Sequence, residues 1–241
     1  MRIPRIYTTV TLASNSQVEL EDNIAHYLGK VLRMSTGREL VLFNSHGGEY
    51  QATIIDINKK SVRVEVGAFN AENRASPLKT HLAIGLSRGE RWDLVLQKAT
   101  ELGVTEITPL ITERCEVKLS GERLEKKIAH WQGIIISACE QCQLNILPVL
   151  NAPVNFNQFI AGDHSDLNLV LHHRSDKKLH DYSAAKSCTL LIGPEGGLSD
   201  EEITLAQKNS FNVLTLGPRV LRTETAPLTA LSVLQMAWGD F

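Results

Sequence analysis

The stretch CTLLIGPEGGLSDEEITLAQKNSFNVLTLGPRVLRTETAPLTALSVLQMAW (188–238) decides the fold. Its opening, Cys188 to Gly193, is a continuous apolar run, the pattern of a strand covered on both faces. Ser199 and Glu202 then form an S-x-x-E capping box that starts a helix. NVLTLG (212–217) reads as the next strand, and a last helix begins near Thr225, with Pro227 in its first turn and Leu228, Leu231, Leu234 and Trp238 on its buried side. Strand, helix, strand, helix in so short a span predicts a mostly parallel sheet with helices packed on it.

Working outward, LNLVLH (167–172) is a second continuous apolar run, HLAIGLS (81–87) and EITPLI (106–111) are two more strands, and Trp92, Val95, Leu96 and Ala99 share one face of a helix that ends at Leu102. From Glu122 to Cys142, positions Leu124, Ile128, Trp131, Ile135, Ala138 and Cys142 recur at steps of three and four, a long amphipathic helix. Nearer the N-terminus the rhythm differs. ELVLF (39–43), YQATIIDI (50–57) and SVRVEVG (61–67) are short, β-branched and separated by turns, and Val62, Val64 and Val66 alternate with Ser61, Arg63 and Glu65. They predict a small β-barrel, with one short helix packed on it around residues 21–34. The polar run from Asn70 to Pro77 divides the chain, giving expected domains 1–72 and 73–241.

Composition narrows the class. With 241 residues, 43% hydrophobic and 22% charged, the chain can bury a sizeable core, and disordered or fibrous readings fall away. No run approaches the ~18 apolar residues of a membrane span, the start MRIPRIYTTV has no apolar block, and four cysteines suit a reducing cytoplasm, so the expectation is a cytoplasmic protein with no membrane partner. A net charge of −2 argues against coating nucleic acid by charge alone. Arg2 and Arg5 nevertheless come before any acid, and Lys30, Arg33 and Arg38 form an acid-free stretch that could meet phosphates or simply be solvated.

Glycines at strand ends mark where a ligand can approach the backbone of an α/β sheet. Gly193-Pro194-Glu195-Gly196-Gly197 follows one strand and Gly217-Pro218-Arg219 the next; neither matches a dinucleotide fingerprint or a P-loop. Cys139 and Cys142 have C-x-x-C spacing but lack a second ligand pair, so they read as helix residues rather than a metal or redox site. His172 and His173 close a strand, where alternation would send them to opposite faces. The connection 216–227 holds Arg219, Arg222, Thr223, Glu224 and Thr225. A helix N-cap by Thr223 or Thr225 accounts for the threonines, but two arginines at a helix N-terminus ask for an anion or another acid nearby.

LLIGPEGGLSDEEI (190–203) and LGPRVLRTETAPLTAL (216–231), with MRIPRIY at the start, SRGERWDLVLQKATELGV (87–104) and ACEQC (138–142), closely resemble the bacterial small-subunit rRNA uridine N3-methyltransferase family. The resemblance implies an N-terminal PUA-like β-barrel that helps hold RNA and a C-terminal SPOUT domain whose last segment is threaded into a trefoil knot. It further implies S-adenosylmethionine bound in that knot, a homodimer, and methylation of N3 of one uridine of 16S rRNA in the assembled small subunit. Carried over by motif, Leu171, His172, Gly193, Pro194, Glu195, Gly196 and Gly197 line one side of the cofactor pocket. Leu216, Gly217, Leu221, Arg222, Thr223, Thr225 and Ala226 line the other. Arg222 is the expected electrostatic catalyst, with Glu224 orienting it or the cofactor, or acting as a base if buried. Arg2, Arg5, Lys30, Arg33, Arg38, Arg174 and Arg219 are the expected RNA contacts. The chain departs from the family pattern at Gln143 and Leu144. A ribose or guanine methyltransferase using the same loops, or a silent RNA-binding assembly factor, are the alternatives.

Overall fold

The computed structural model describes residues 3–58, 60–117 and 119–241. The chain divides into two compact units, Met1–Ala75 with Cys139–Leu147, and Ser76–Ala138 with Pro148–Phe241. The sequence suggests a single cut; the second visit of the chain to the first unit carries no composition change that would mark it.

In the first unit, β1 (Arg5–Tyr7), β2 (Ser16–Leu20), β3 (Glu39–Phe43), β4 (Glu49–Ile57) and β5 (Val62–Asn70) form one sheet in the order β1-β3-β4-β5-β2. Val62, Val64 and Val66 are buried while Arg63 and Glu65 are exposed, as strict alternation requires. Both edge strands feed the same core through Ile6 and Leu20, so the sheet rolls around its own interior. The expected helix at 21–34 is two pieces, α1 (Asp22–His26) and a π-helical turn over Tyr27–Val31. Leu32 N–H donates to the Tyr27 carbonyl (3.0 Å), and this wider turn rotates Tyr27, Val31 and Leu32 into solvent while Ile24 and Leu28 stay in the core.

Cys139–Leu147 packs into this unit. Tyr7 N–H donates to Glu140 Oε1 (3.0 Å), and Arg5 donates to Asn145 Oδ1 (2.5 Å) and to Glu49 Oε2 (2.6 Å). Leu144 is buried, so its departure from the family pattern fills core here. Burial pushes the Cys139 thiol up to about 12, which leaves it an inert packing group.

The second unit holds β6 (Lys79–Gly85), β7 (Glu106–Ile111), β8 (Val149–Leu150), β9 (Val154–Asn155), β10 (Leu167–Leu171), β11 (Ser187–Ile192) and β12 (Asn212–Leu214). The sheet order is β12-β10-β11-β6-β7-β8, with β9 also on β7, and every pairing is parallel. The connecting helices are α2 (Glu90–Glu101), α3 (Gly121–Cys142), α4 (Phe156–Ile160), α5 (Asp200–Lys208) and α6 (Thr225–Trp238). Central β11 is buried from Cys188 to Ile192, which is why its sequence is apolar without alternation. The strand expected over 212–217 stops at Leu214. Thr215 N–H turns away to the Lys177 carbonyl (2.8 Å), and the remaining residues form a connection beyond the sheet. No helix among the described residues is long and apolar enough to cross a membrane.

Candidate functional site

Because β12, β10 and β11 are parallel neighbours, their carboxyl ends open on one edge, and there the second unit encloses a cavity of about 670 Å³. Such an edge is where open α/β sheets bind ligands, and the volume lies in the usual range for small-molecule sites. Leu171 and His172 reach it from β10, Gly193 to Gly197 from β11, and Leu216, Gly217, Leu221, Arg222, Thr223 and Ala226 from the connection after β12. Glu224, Arg174 and Arg219 line it as well, whereas Thr225 does not.

The glycine loop is shaped by backbone proximity. A Cβ on Gly193 would lie 2.6 Å from Leu198 N and 2.7 Å from Gly197 C, both main-chain atoms that cannot swing aside. Gly85, at the end of β6, gives the same close approach to Pro194, with a Cβ meeting its ring at 2.5 Å. The loop is therefore a tight backbone cradle resting on the neighbouring strand end. The capping box holds its far side: Ser199 N–H donates to Glu202 Oε2 (2.9 Å) and Glu202 N–H to Ser199 Oγ (3.3 Å). Glu202 Oε1 also accepts from Glu113 N–H (2.9 Å). Next to it, Arg114 donates to the carbonyls of Gly196 (2.9 Å) and Leu198 (3.4 Å).

Several expectations change. Thr223 and Thr225 do not cap α6; Glu224 occupies the cap without a side-chain bond, and Thr225 and Ala226 N–H groups both donate to the Arg222 carbonyl at 2.9 Å. Among the described residues Glu224 makes no hydrogen bond or ion pair to Arg222, and its place on the cavity wall leaves the cofactor as the group it could orient. Arg222 and Arg219 are exposed and pair with no carboxylate among the described residues. His172 and His173 both line the cavity, because β10 ends at Leu171 and alternation stops there. Burial, then the neighbouring His173 and Arg174, hold the His172 imidazole below its ordinary value.

Of the expected RNA contacts, Lys30, Arg33 and Arg38 are exposed on the first unit, and Arg2 lies outside the described residues. Arg5 is different: its side chain is 8% exposed and closed against Glu49, so it holds the first unit together instead of facing phosphate. The sequence reading missed Arg91, Arg114 and Asp200 on the cavity wall. Only Asp200 carried a sequence signal, as the residue after the capping serine.

The fold and the cavity together define a parallel α/β protein with a small-molecule site at its strand ends. A family model described as RNA methyltransferase domain matches residues 74–235, and one described as RNA methyltransferase PUA domain matches residues 20–67. The chain belongs to this RNA methyltransferase family. Ribosomal RNA small subunit methyltransferase E of Buchnera aphidicola is 36% identical over 100% of this chain and 96% of its own. Among solved structures, a Legionella pneumophila methyltransferase in complex with the bound cofactor SAM has a TM-score of 0.97 at 48% identity, covering 100% of both chains. The ribosomal RNA small subunit methyltransferase E of Neisseria gonorrhoeae bound to S-adenosyl methionine has a TM-score of 0.93 at 36% identity, again over 100% of both.

Proposed function

We propose that this chain transfers the methyl group of S-adenosylmethionine to N3 of one uridine of small-subunit 16S rRNA, position 1498, acting on the assembled subunit as a homodimer. The backbone cradle around Gly193, facing a second backbone wall at 216–226 across the cavity, carries this reading. It leaves room for a flat, hydrogen-bonding cofactor held by main-chain groups.

When bound, the cofactor supplies an already activated methyl group, so no covalent enzyme intermediate is needed. The chain's own residues orient and stabilise. Uridine N3 must lose its proton, and the exposed, unpaired guanidinium of Arg222 at the cavity wall is placed to favour the uracil anion that forms. Arg174 and Arg219 on the same wall suit adjoining phosphates, as do Lys30, Arg33 and Arg38 on the first unit.

In this reading the C-terminal segment leading into α6, which packs against both β11 and α2, is threaded as a trefoil knot. Val220 and Met236 are 77% and 73% exposed, apolar surface that a second copy would cover.

Titration with S-adenosylmethionine followed by mass spectrometry of methylated rRNA tests the reading. Saturable binding and N3-methyluridine are expected. Absence of either, a ribose or guanine product, or dependence on no cofactor would replace it by one of the alternatives.

A further inference from the structure

Arg114 belongs to the segment after β7, yet its side chain is spent on the glycine turn. Its Nη1 donates to the carbonyls of Gly196 (2.9 Å) and Leu198 (3.4 Å), 82 and 84 positions away. Its aliphatic stem lies along the same turn, for a Cβ on Gly196 would meet Arg114 Cβ at 3.1 Å and Cδ at 3.4 Å. We propose that Arg114 is a positioning residue for the cofactor: it holds the Gly193–Leu198 turn in the shape that receives S-adenosylmethionine. The proposal rests on the methyltransferase reading above and assigns control of cofactor affinity within it.

The composition of the turn creates the need for such a hold. Gly196 and Gly197 carry no side chain, Gly197 sits at φ +68°, and the peptide between them can rotate at little steric cost. A cradle made of main-chain groups presents its donors and acceptors only while those peptide planes stay put. The two planes that Arg114 grips are each tied at both ends. The Gly196 carbonyl shares its peptide unit with the N–H of Gly197, which donates to the Pro194 carbonyl (2.8 Å). The Leu198 carbonyl shares its unit with the N–H of Ser199, which donates to Glu202 Oε2 (2.9 Å). Arg114 takes the oxygen end of both, so neither plane can flip without breaking a charge-assisted hydrogen bond.

The arginine stands on a fixed base. Cys115 N–H donates to the Thr112 carbonyl (3.1 Å), which turns the chain after β7, and Glu113 N–H donates to Glu202 Oε1 (2.9 Å). Glu202 thus ties the residue before Arg114 to the end of the turn that Arg114 grips.

Arg114 is exposed, so its bonds weigh little in global stability and act on the local balance between a closed and an open turn. Apparent affinity falls with the closed fraction. A turn closed about a tenth of the time binds about tenfold more weakly, yet turns over at the parental rate once saturated.

The experiment compares full-length Arg114→Ala and Arg114→Lys with the parent. Arg114→Ala is expected to raise the calorimetric Kd for S-adenosylmethionine about tenfold, with kcat at saturating cofactor within about twofold of the parent. In the cofactor-free protein it should speed amide hydrogen exchange in residues 193–199, with the melting temperature unchanged. Arg114→Lys keeps the charge without the planar fork and should fall between the two. A parental Kd or parental exchange in Arg114→Ala overturns the proposal. Lower kcat with unchanged Kd also overturns it, by moving Arg114 from the turn to the methyl-transfer step. So does faster exchange throughout the second unit with a lower melting temperature, the mark of a general packing residue. Failure of the parent protein to bind S-adenosylmethionine is distinguishable from all of these, and removes the cofactor reading and the proposal together.

Discussion

Gly193 shows how a single residue type can be dictated by geometry alone. With main-chain atoms 2.6 and 2.7 Å from a would-be Cβ, Gly193→Ala must push the loop open. Cofactor affinity measured by calorimetry is expected to drop at least tenfold, with the far-UV circular dichroism unchanged. Arg222→Ala has the opposite signature: the residue is exposed, so binding should survive while kcat falls by about two orders of magnitude, the scale of a lost electrostatic contact to developing charge. Arg5 acts on stability instead. Burial alone would raise the Glu49 carboxyl, but the Arg5 hydrogen bond and charge bring it below its ordinary 4.5. Arg5→Ala leaves that carboxylate with Arg74 and the Asn70 amide, without its shortest ion pair, and should destabilise the chain by about 3 kcal/mol in denaturant titration.

Among the elements, α5 is the one whose start was fully legible. Ser199 and Glu202 form the reciprocal cap that their spacing announces. What the spacing could not announce is the second use of Glu202, whose other oxygen accepts from Glu113, 89 positions away. Glu202→Ala therefore strands two N–H groups, and a loss of about 2 kcal/mol, or roughly 4–8 °C in melting temperature, is expected by calorimetry.

Periodicity also recovered β5, α2 and α3 closely, because each buries one face. It failed where tertiary bonds override local pattern. The π turn after α1 depends on a five-residue step, β12 ends early because Thr215 bonds to Lys177, and β1, β2 and α4 are too short to show a period. The cavity's glycine walls were legible as motifs. Arg91 and Arg114 were not, since neither an arginine in the first turn of a helix nor one in a loop says which distant carbonyl or carboxylate it will reach.

For the molecule as a whole, acid is the informative stress. His81 lies against Thr108 Oγ1 (2.7 Å) and packs edge-on to Phe159, which also touches His164. Burial holds both imidazoles below 6.5, their unfolded value. Between that value and the lower folded ones the unfolded chain binds more protons, so stability is greatest at higher pH and falls as pH drops through 6.5. The melting temperature should decline from pH 7 toward pH 5.5, and His164→Phe should flatten that decline. A parent curve flat over the interval would show that these rings titrate alike in both states.

The excursion of Cys139–Leu147 into the first unit carries a consequence for biosynthesis. Asn145 and Glu140 complete the hydrogen bonds of Arg5 and Tyr7, and Leu144 completes the packing. While the chain is still being translated, the N-terminal sheet must therefore wait for some 147 residues to clear the exit tunnel before its interior can close. Nascent chains arrested at residue 75 should stay protease-sensitive, whereas those arrested well past 147, with the tunnel's length added, should yield a resistant core.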